Sequence, residues 1–135
     1  MKIYKTVLKS AAIAFVPFLL TGPSVAAENI TVKAGQKTRI YQYATYEGSG
    51  CISSEYPVFK AKKTKNGELS HSRGSFIANN GVCKGKRLKS TDIYYTPKPG
   101  FKGVDRARVS LGTQRDAVSD WGLKFTTITF KITVK

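Results

Sequence analysis

The stretch Tyr95-Thr96-Pro97-Lys98-Pro99-Gly100-Phe101-Lys102-Gly103-Val104-Asp105 runs straight into Arg106-Ala107-Arg108-Val109-Ser110-Leu111. Its two halves obey different rules. Proline fixes φ and removes a donor, glycine reaches positive φ, and a short Asp side chain accepts backbone N–H bonds. Pro97, Pro99, Gly100 and Gly103 therefore predict a rigid reversal, with Asp105 placed to accept backbone N–H bonds at its end. Beyond it the pattern has period two: Ala107, Val109 and Leu111 alternate with Arg106, Arg108 and Ser110. Such alternation marks a strand with one face buried. The reading is strand, turn, strand.

The same period recurs along the chain. In Thr127–Val134, Ile128, Phe130, Ile132 and Val134 share one face, while Thr127, Thr129, Lys131 and Thr133 share the other. Val58–Thr64 turns Phe59 and Ala61 inward and Lys60 and Lys62 outward. Shorter strands are predicted at Ile30–Lys33, Thr38–Tyr43, Leu69–Ser72, Ser75–Ala78 and Asp92–Thr96. Asn66-Gly67 and Asn80-Gly81 are dipeptides suited to tight hairpins. No stretch after the first residues carries a helical period. The expectation is an all-β sandwich of two packed antiparallel sheets, with a small closed barrel as the alternative.

The segment Tyr95–Asp105 closely resembles the Y-T-P-x-P-G-F-x-G-x-D signature of bacterial immunoglobulin-like and cadherin-like β-sandwich domains, and the likeness extends loosely from Asn66 to Leu111. The resemblance implies that the prolines and glycines shape a connection between two late strands, that Asp105 bonds back to the turn, and that Tyr95 and Phe101 pack beneath it. Where that family carries an aromatic two residues after the Asp, this chain has Ala107. Such sandwiches host many activities, so the fold names none.

Lys2, Lys5 and Lys9 precede the apolar run Ala11–Leu20, and small residues follow at Ser24-Val25-Ala26-Ala27. That order describes a secretory signal peptide over residues 1–26, leaving 27–135 as a single domain. The run is 10 residues long and contains Pro17, well short of the ~20 that span a bilayer. The expected product is exported, periplasmic or secreted, and not membrane-spanning. Three of the 23 Lys and Arg leave with the leader, so 20 basic side chains face 8 acidic ones. A surface so charged attracts polyanions. In an exported protein these are envelope polysaccharides, lipopolysaccharide or lipid head groups, and cellular nucleic acid is excluded by compartment. Cys51 and Cys83 are expected to pair in an oxidising space.

Catalysis has little to work with. His71 stands alone in Ser70-His71-Ser72-Arg73-Gly74 and reads as an exposed loop residue. Glu47 and Glu55 flank Cys51 and read as surface charges. No cofactor or metal set is evident, and the chain is expected to be non-enzymatic and monomeric. Binding has better candidates. One basic run is Lys60, Lys62, Lys63 and Lys65; a second is Lys84, Lys86, Arg87 and Lys89, with Arg73 nearby. Charge on both parities of the second run predicts a loop or an edge, tethered by Cys83. Tyr41 and Tyr43 have a parity opposite to Ile40 and could line an outer face that stacks on sugar rings, although partial burial with the hydroxyl at the rim is the commoner place for tyrosines in a small sandwich. Trp121 sits in the loop before the last strand. The expected function is a binding module for an anionic envelope component, the alternative a structural domain pairing with a protein partner through an edge strand.

Overall fold

The computed structural model describes residues 26–47, 50–114 and 122–135. The expected leader, apart from Ala26, lies outside the described residues, as does Trp121. The strands are β1 (Glu28–Val32), β2 (Thr38–Tyr43), β3 (Tyr46–Glu47), β4 (Ile52–Ser53), β5 (Val58–Ala61), β6 (Gly67–Ile77), β7 (Arg87–Pro97), β8 (Gly103–Gln114) and β9 (Leu123–Val134). They form a four-stranded sheet in the order β1-β9-β8-β5 and a three-stranded sheet in the order β2-β7-β6, with β3 and β4 pairing apart. Both sheets keep open edges, so the closed barrel is ruled out and the sandwich stands. All pairings are antiparallel except that of β1, which runs parallel to β9.

The core is the product of the alternation. Ala107, Val109 and Leu111 of β8 and Phe130, Ile132 and Val134 of β9 meet Ile93 and Tyr95 of β7 and Ile40 of β2. Ile93, Tyr95, Val109, Leu111, Phe130 and Ile132 are wholly buried. Each such aliphatic or aromatic side chain contributes about 1.5–3 kcal/mol.

Strand β2 departs from simple alternation. Arg39 pairs with Tyr94 and Tyr41 with Ile93, leaving Ile40 as an extra residue in a β-bulge. An inserted residue shifts every later side chain to the other face. Ile40 and Tyr41 thus both turn inward, and the Tyr41 ring meets Phe130 edge-on at 5.8 Å. Tyr43 also packs against the core. Both tyrosines therefore take the partly buried position rather than an outer face. The shift also sets Gln42 opposite Asp92, where its Nε2 donates to Oδ1 at 2.9 Å.

Of the connections that cross between the sheets, two meet at one buried carboxylate. The first, residues 62–66, joins β5 of one sheet to β6 of the other, so Asn66-Gly67 closes no hairpin. Gly67 is needed there because a Cβ would lie 2.4 Å from the Tyr95 ring. The second is the Pro/Gly stretch between β7 and β8. Pro99 and Gly100, with φ at 78°, form the centre of a type II turn in which Phe101 N–H bonds to Lys98 O at 3.1 Å. Asp105 fastens both crossings. Its Oδ2 accepts from Tyr95 O–H at 2.8 Å and from Asn66 N–H at 3.0 Å.

β6 is a single strand of 11 residues where two were expected, and Gly74 lies inside it. Asn80-Gly81 does fall in the β6–β7 hairpin, which is longer than a two-residue turn: Ala78 N–H bonds to Lys86 O at 2.9 Å and Gly85 N–H to Ala78 O at 2.7 Å. Cys51 and Cys83 form a disulfide across a sequence separation of 32, which stabilises by roughly 3–4 kcal/mol on the chain-entropy estimate. With Ala78 and Leu88 the two cysteines make a second small core over the outer side of the three-stranded sheet.

Burial, then the hydrogen bond and charge of Asp105, push the Tyr95 hydroxyl pKa well above its ordinary value. The folded pKa exceeds the unfolded one. The neutral phenol's contribution is therefore whole below the unfolded value of about 10 and falls away as pH rises past it. Tyr95→Phe is expected to cost about 1–3 kcal/mol, because it strips one donor from a buried carboxylate. It should also flatten the alkaline loss of stability, read by urea unfolding from about pH 8 to about pH 11. Equal alkaline slopes for the two proteins would show that Tyr95 is not the group responsible.

Candidate anion-binding face

The residues that alternate away from the core build a basic surface on the four-stranded sheet. β8 sends Arg106, Arg108 and Ser110 outward, because Ala107, Val109 and Leu111 occupy the inner side. β9 sends out Thr127, Thr129, Lys131 and Thr133, and β5 adds Lys60. Register brings these together: Arg106 faces Lys131, Arg108 faces Thr129, and Ser110 faces both Thr127 and Lys60. Lys62, just past β5, bonds through its N–H to Arg108 O at 3.0 Å. Five cations thus share one face with a row of hydroxyls, of which Ser110 Oγ and Thr127 Oγ1 touch at 2.9 Å. Lys60 Nζ also lies 4.6 Å from the centre of the Phe125 ring.

Among the described residues no Asp or Glu takes an outward position on this sheet. The ion pairs found among the described residues, Arg39 with Asp92 and Lys89 with Glu55, lie away from this sheet. The face is therefore electrostatically unbalanced. Arg106 stands directly opposite Lys131, and like charges in that relation are destabilising. An incoming anion would relieve the repulsion.

Lys62 and Lys63 are shared by two depressions. A shallow hollow of about 250 Å³ opens on the face, lined also by Arg106, Arg108 and Thr129. A larger cavity of about 600 Å³ lies on the far side of the crossing, between Leu69, Pro97, Lys98 and Glu68. Lys65 is on the same crossing, and its carbonyl accepts from Lys98 Nζ at 2.7 Å. The whole first basic run therefore belongs to this region.

The second run lies at the other end of β6, about 33 Å away by strand rise. Lys84 and Lys86 are exposed in the hairpin turn, whereas Arg87 and Lys89 belong to β7. Arg73 lies 4.8 Å and Lys89 Nζ 5.6 Å from the centre of the Tyr56 ring. Arg87 donates to Ser75 Oγ at 3.2 Å. The two runs form separate sites. Tyr41 and Tyr43, half-buried against the core, join neither. His71 sits in strand β6, not in a loop, and its ring stacks on Phe59 at 4.1 Å.

Arg106, Arg108 and Lys131 were missing from the sequence-based candidates. Their outward parity was readable, but their convergence depends on the β8–β9 register, which no motif states. Comparison with protein-family models, with curated proteins and with solved structures finds no match to this chain. The surface itself must supply the functional argument.

Lys131→Glu replaces a repulsive cross-strand pair with an attractive one. It is expected to raise stability by roughly 0.2–1 kcal/mol while weakening polyanion binding, measured by thermal unfolding and by titration with an anionic polysaccharide. A fall in both would mean that Lys131 stabilises the fold in its own right.

Proposed function

We propose that the chain is an exported, non-enzymatic binding module of immunoglobulin-like kind, which engages an anionic polymer of the cell envelope through the outer face of its four-stranded sheet. The observation that carries this reading is the alignment of Lys60, Lys62, Arg106, Arg108 and Lys131 on one surface with no facing carboxylate among the described residues. A linear polyanion suits such a face better than a compact ligand does, because the charges are spread across three strands. Neighbouring hydroxyls supply hydrogen bonds to sugar or phosphate oxygens, and the Lys62–Lys63 crossing offers a path into the larger cavity. The disulfide and the expected leader support export, to the periplasm or beyond it. The non-enzymatic reading rests on His71 being stacked on Phe59 and Glu55 being paired with Lys89.

A protein partner is favoured by one feature, the outer edge of β6, which pairs with no strand among the described residues. Its 11 residues contain no proline and could accept an added strand. The two readings differ in their response to salt, because exposed charge contacts are screened and backbone pairing is not. On an acidic-polysaccharide resin the protein is expected to be retained at low salt and released at moderate salt. The double variant R106E/R108E should elute markedly earlier, and K84E/K86E should elute later than it. Salt-insensitive capture of one envelope protein, undisturbed by R106E/R108E, would replace this reading with the edge-strand one.

A further inference from the structure

At the end of the molecule away from the basic face, the β6–β7 hairpin combines two features that soluble surfaces usually keep apart. Ile52 is 70 % exposed, Val82 77 % and Ile77 50 %. Around them stand Lys84, Lys86 and Arg87, and the chain from Leu69 to Thr91 contains five basic residues and no acidic one. The disulfide gathers the apolar residues. Ile52 and Val82 each adjoin a bonded cysteine, and the cysteine Cα atoms are 5.6 Å apart. Their own Cα atoms therefore lie within about 13 Å.

We infer that this tip docks on an anionic lipid bilayer, with Ile52 and Val82 entering the interface and the surrounding lysines and Arg87 meeting the head groups. Three observations favour a bilayer over a protein. Val82 is exposed in the β6–β7 turn and Ile52 is exposed on β4, tied to that turn through the Cys51–Cys83 bond, and such a tip fits a deformable surface without a matching pocket. Lys84, Lys86 and Arg87 follow Val82 within five residues, and apolar and basic side chains so combined complement an anionic leaflet. The turn is also already ordered: Lys84 N–H bonds to Gly81 O at 3.2 Å and Lys86 N–H to Cys83 O at 2.9 Å. Little conformational entropy is lost on docking. The nearby Glu55 carboxylate does not reverse the field. Glu55 is engaged by Lys89 at 3.5 Å.

The test is co-sedimentation with vesicles of phosphatidylcholine containing phosphatidylglycerol, against vesicles of phosphatidylcholine alone. The protein is expected to bind the first and not the second. The I52S/V82S variant keeps the charge and should bind about tenfold more weakly, from the apolar area lost. In K84S/K86S each lysine removed should weaken binding about fivefold. R106E/R108E should still bind vesicles, although it loses the polymer resin. That contrast separates failure of the tip from failure of the face. All the altered side chains are exposed, and unchanged melting confirms that the variants fold. Absence of binding to the anionic vesicles overturns the inference. So does binding that I52S/V82S leaves unchanged, or binding that is lost through R106E/R108E.

Discussion

The buried carboxylate of Asp105 is the contact on which the arrangement depends. It receives the Tyr95 hydroxyl from the three-stranded sheet and the Asn66 N–H from the crossing, while sitting itself on the inner side of β8. A second oxygen accepts the N–H of Arg106 at 2.9 Å. One side chain thereby joins two of the sheet-to-sheet connections. A buried carboxylate without donors would be costly, so the bond fixes the chain where all these donors converge. Because β8 alternates strictly, placing Asp105 inward places Arg106 and Arg108 outward. A slip of one residue would reverse every side chain and bury the arginines. The basic face and the core are set by the same contact.

Much of this was legible because period two is a strong signal. β8 and β9 bury the side chains that their alternation assigns, and the rigid turn lies where its prolines and glycines require. Other features rest on single residues or on partners distant in sequence. The bulge at Ile40 adds one residue with no glycine or proline to mark it, yet it turns Tyr41 and Tyr43 from the surface to the core. Asn66-Gly67 has the chemistry of a hairpin, but hairpin chemistry does not distinguish a strand returning to its own sheet from one crossing to the other. Here the requirement at Gly67 is the Tyr95 ring, which lies 28 residues further along the chain. Gly74 in β6 looked like a break. In the sheet a Cβ there would lie 2.9 Å from Asp92 Oδ2, so the glycine keeps the strand continuous past a buried polar group.

The candidate site was half legible for a related reason. Runs of consecutive charge stand out in a sequence, and both basic runs were found that way. Their positions relative to each other follow from topology. β6 separates them by its whole length, and the disulfide holds the second run over its own small core. Charge distributed at every second residue on paired strands is as concentrated in space as a run, but it is diluted in the sequence by the core residues between. Arg106, Arg108 and Lys131 belong to that kind.

This distribution sets stability and recognition against each other on the basic face. Cations facing one another across β8 and β9 repel in the free protein, and neutral residues at the same positions would hold the sheet together more firmly. A ligand that binds only the folded state stabilises it by an amount that grows with its concentration over its dissociation constant. A polyanion would do so here partly by cancelling a repulsion already present, so part of the fold's stability would be stored in the complex. The sandwich can tolerate the free-state strain because its core and the Asp105 contact lie on the opposite side of β8. The repulsion acts on side chains that extend into solvent, where water and salt weaken it, while the groups that hold the register are buried and are screened far less. The same strand can therefore be fixed on one side and left electrostatically unsatisfied on the other.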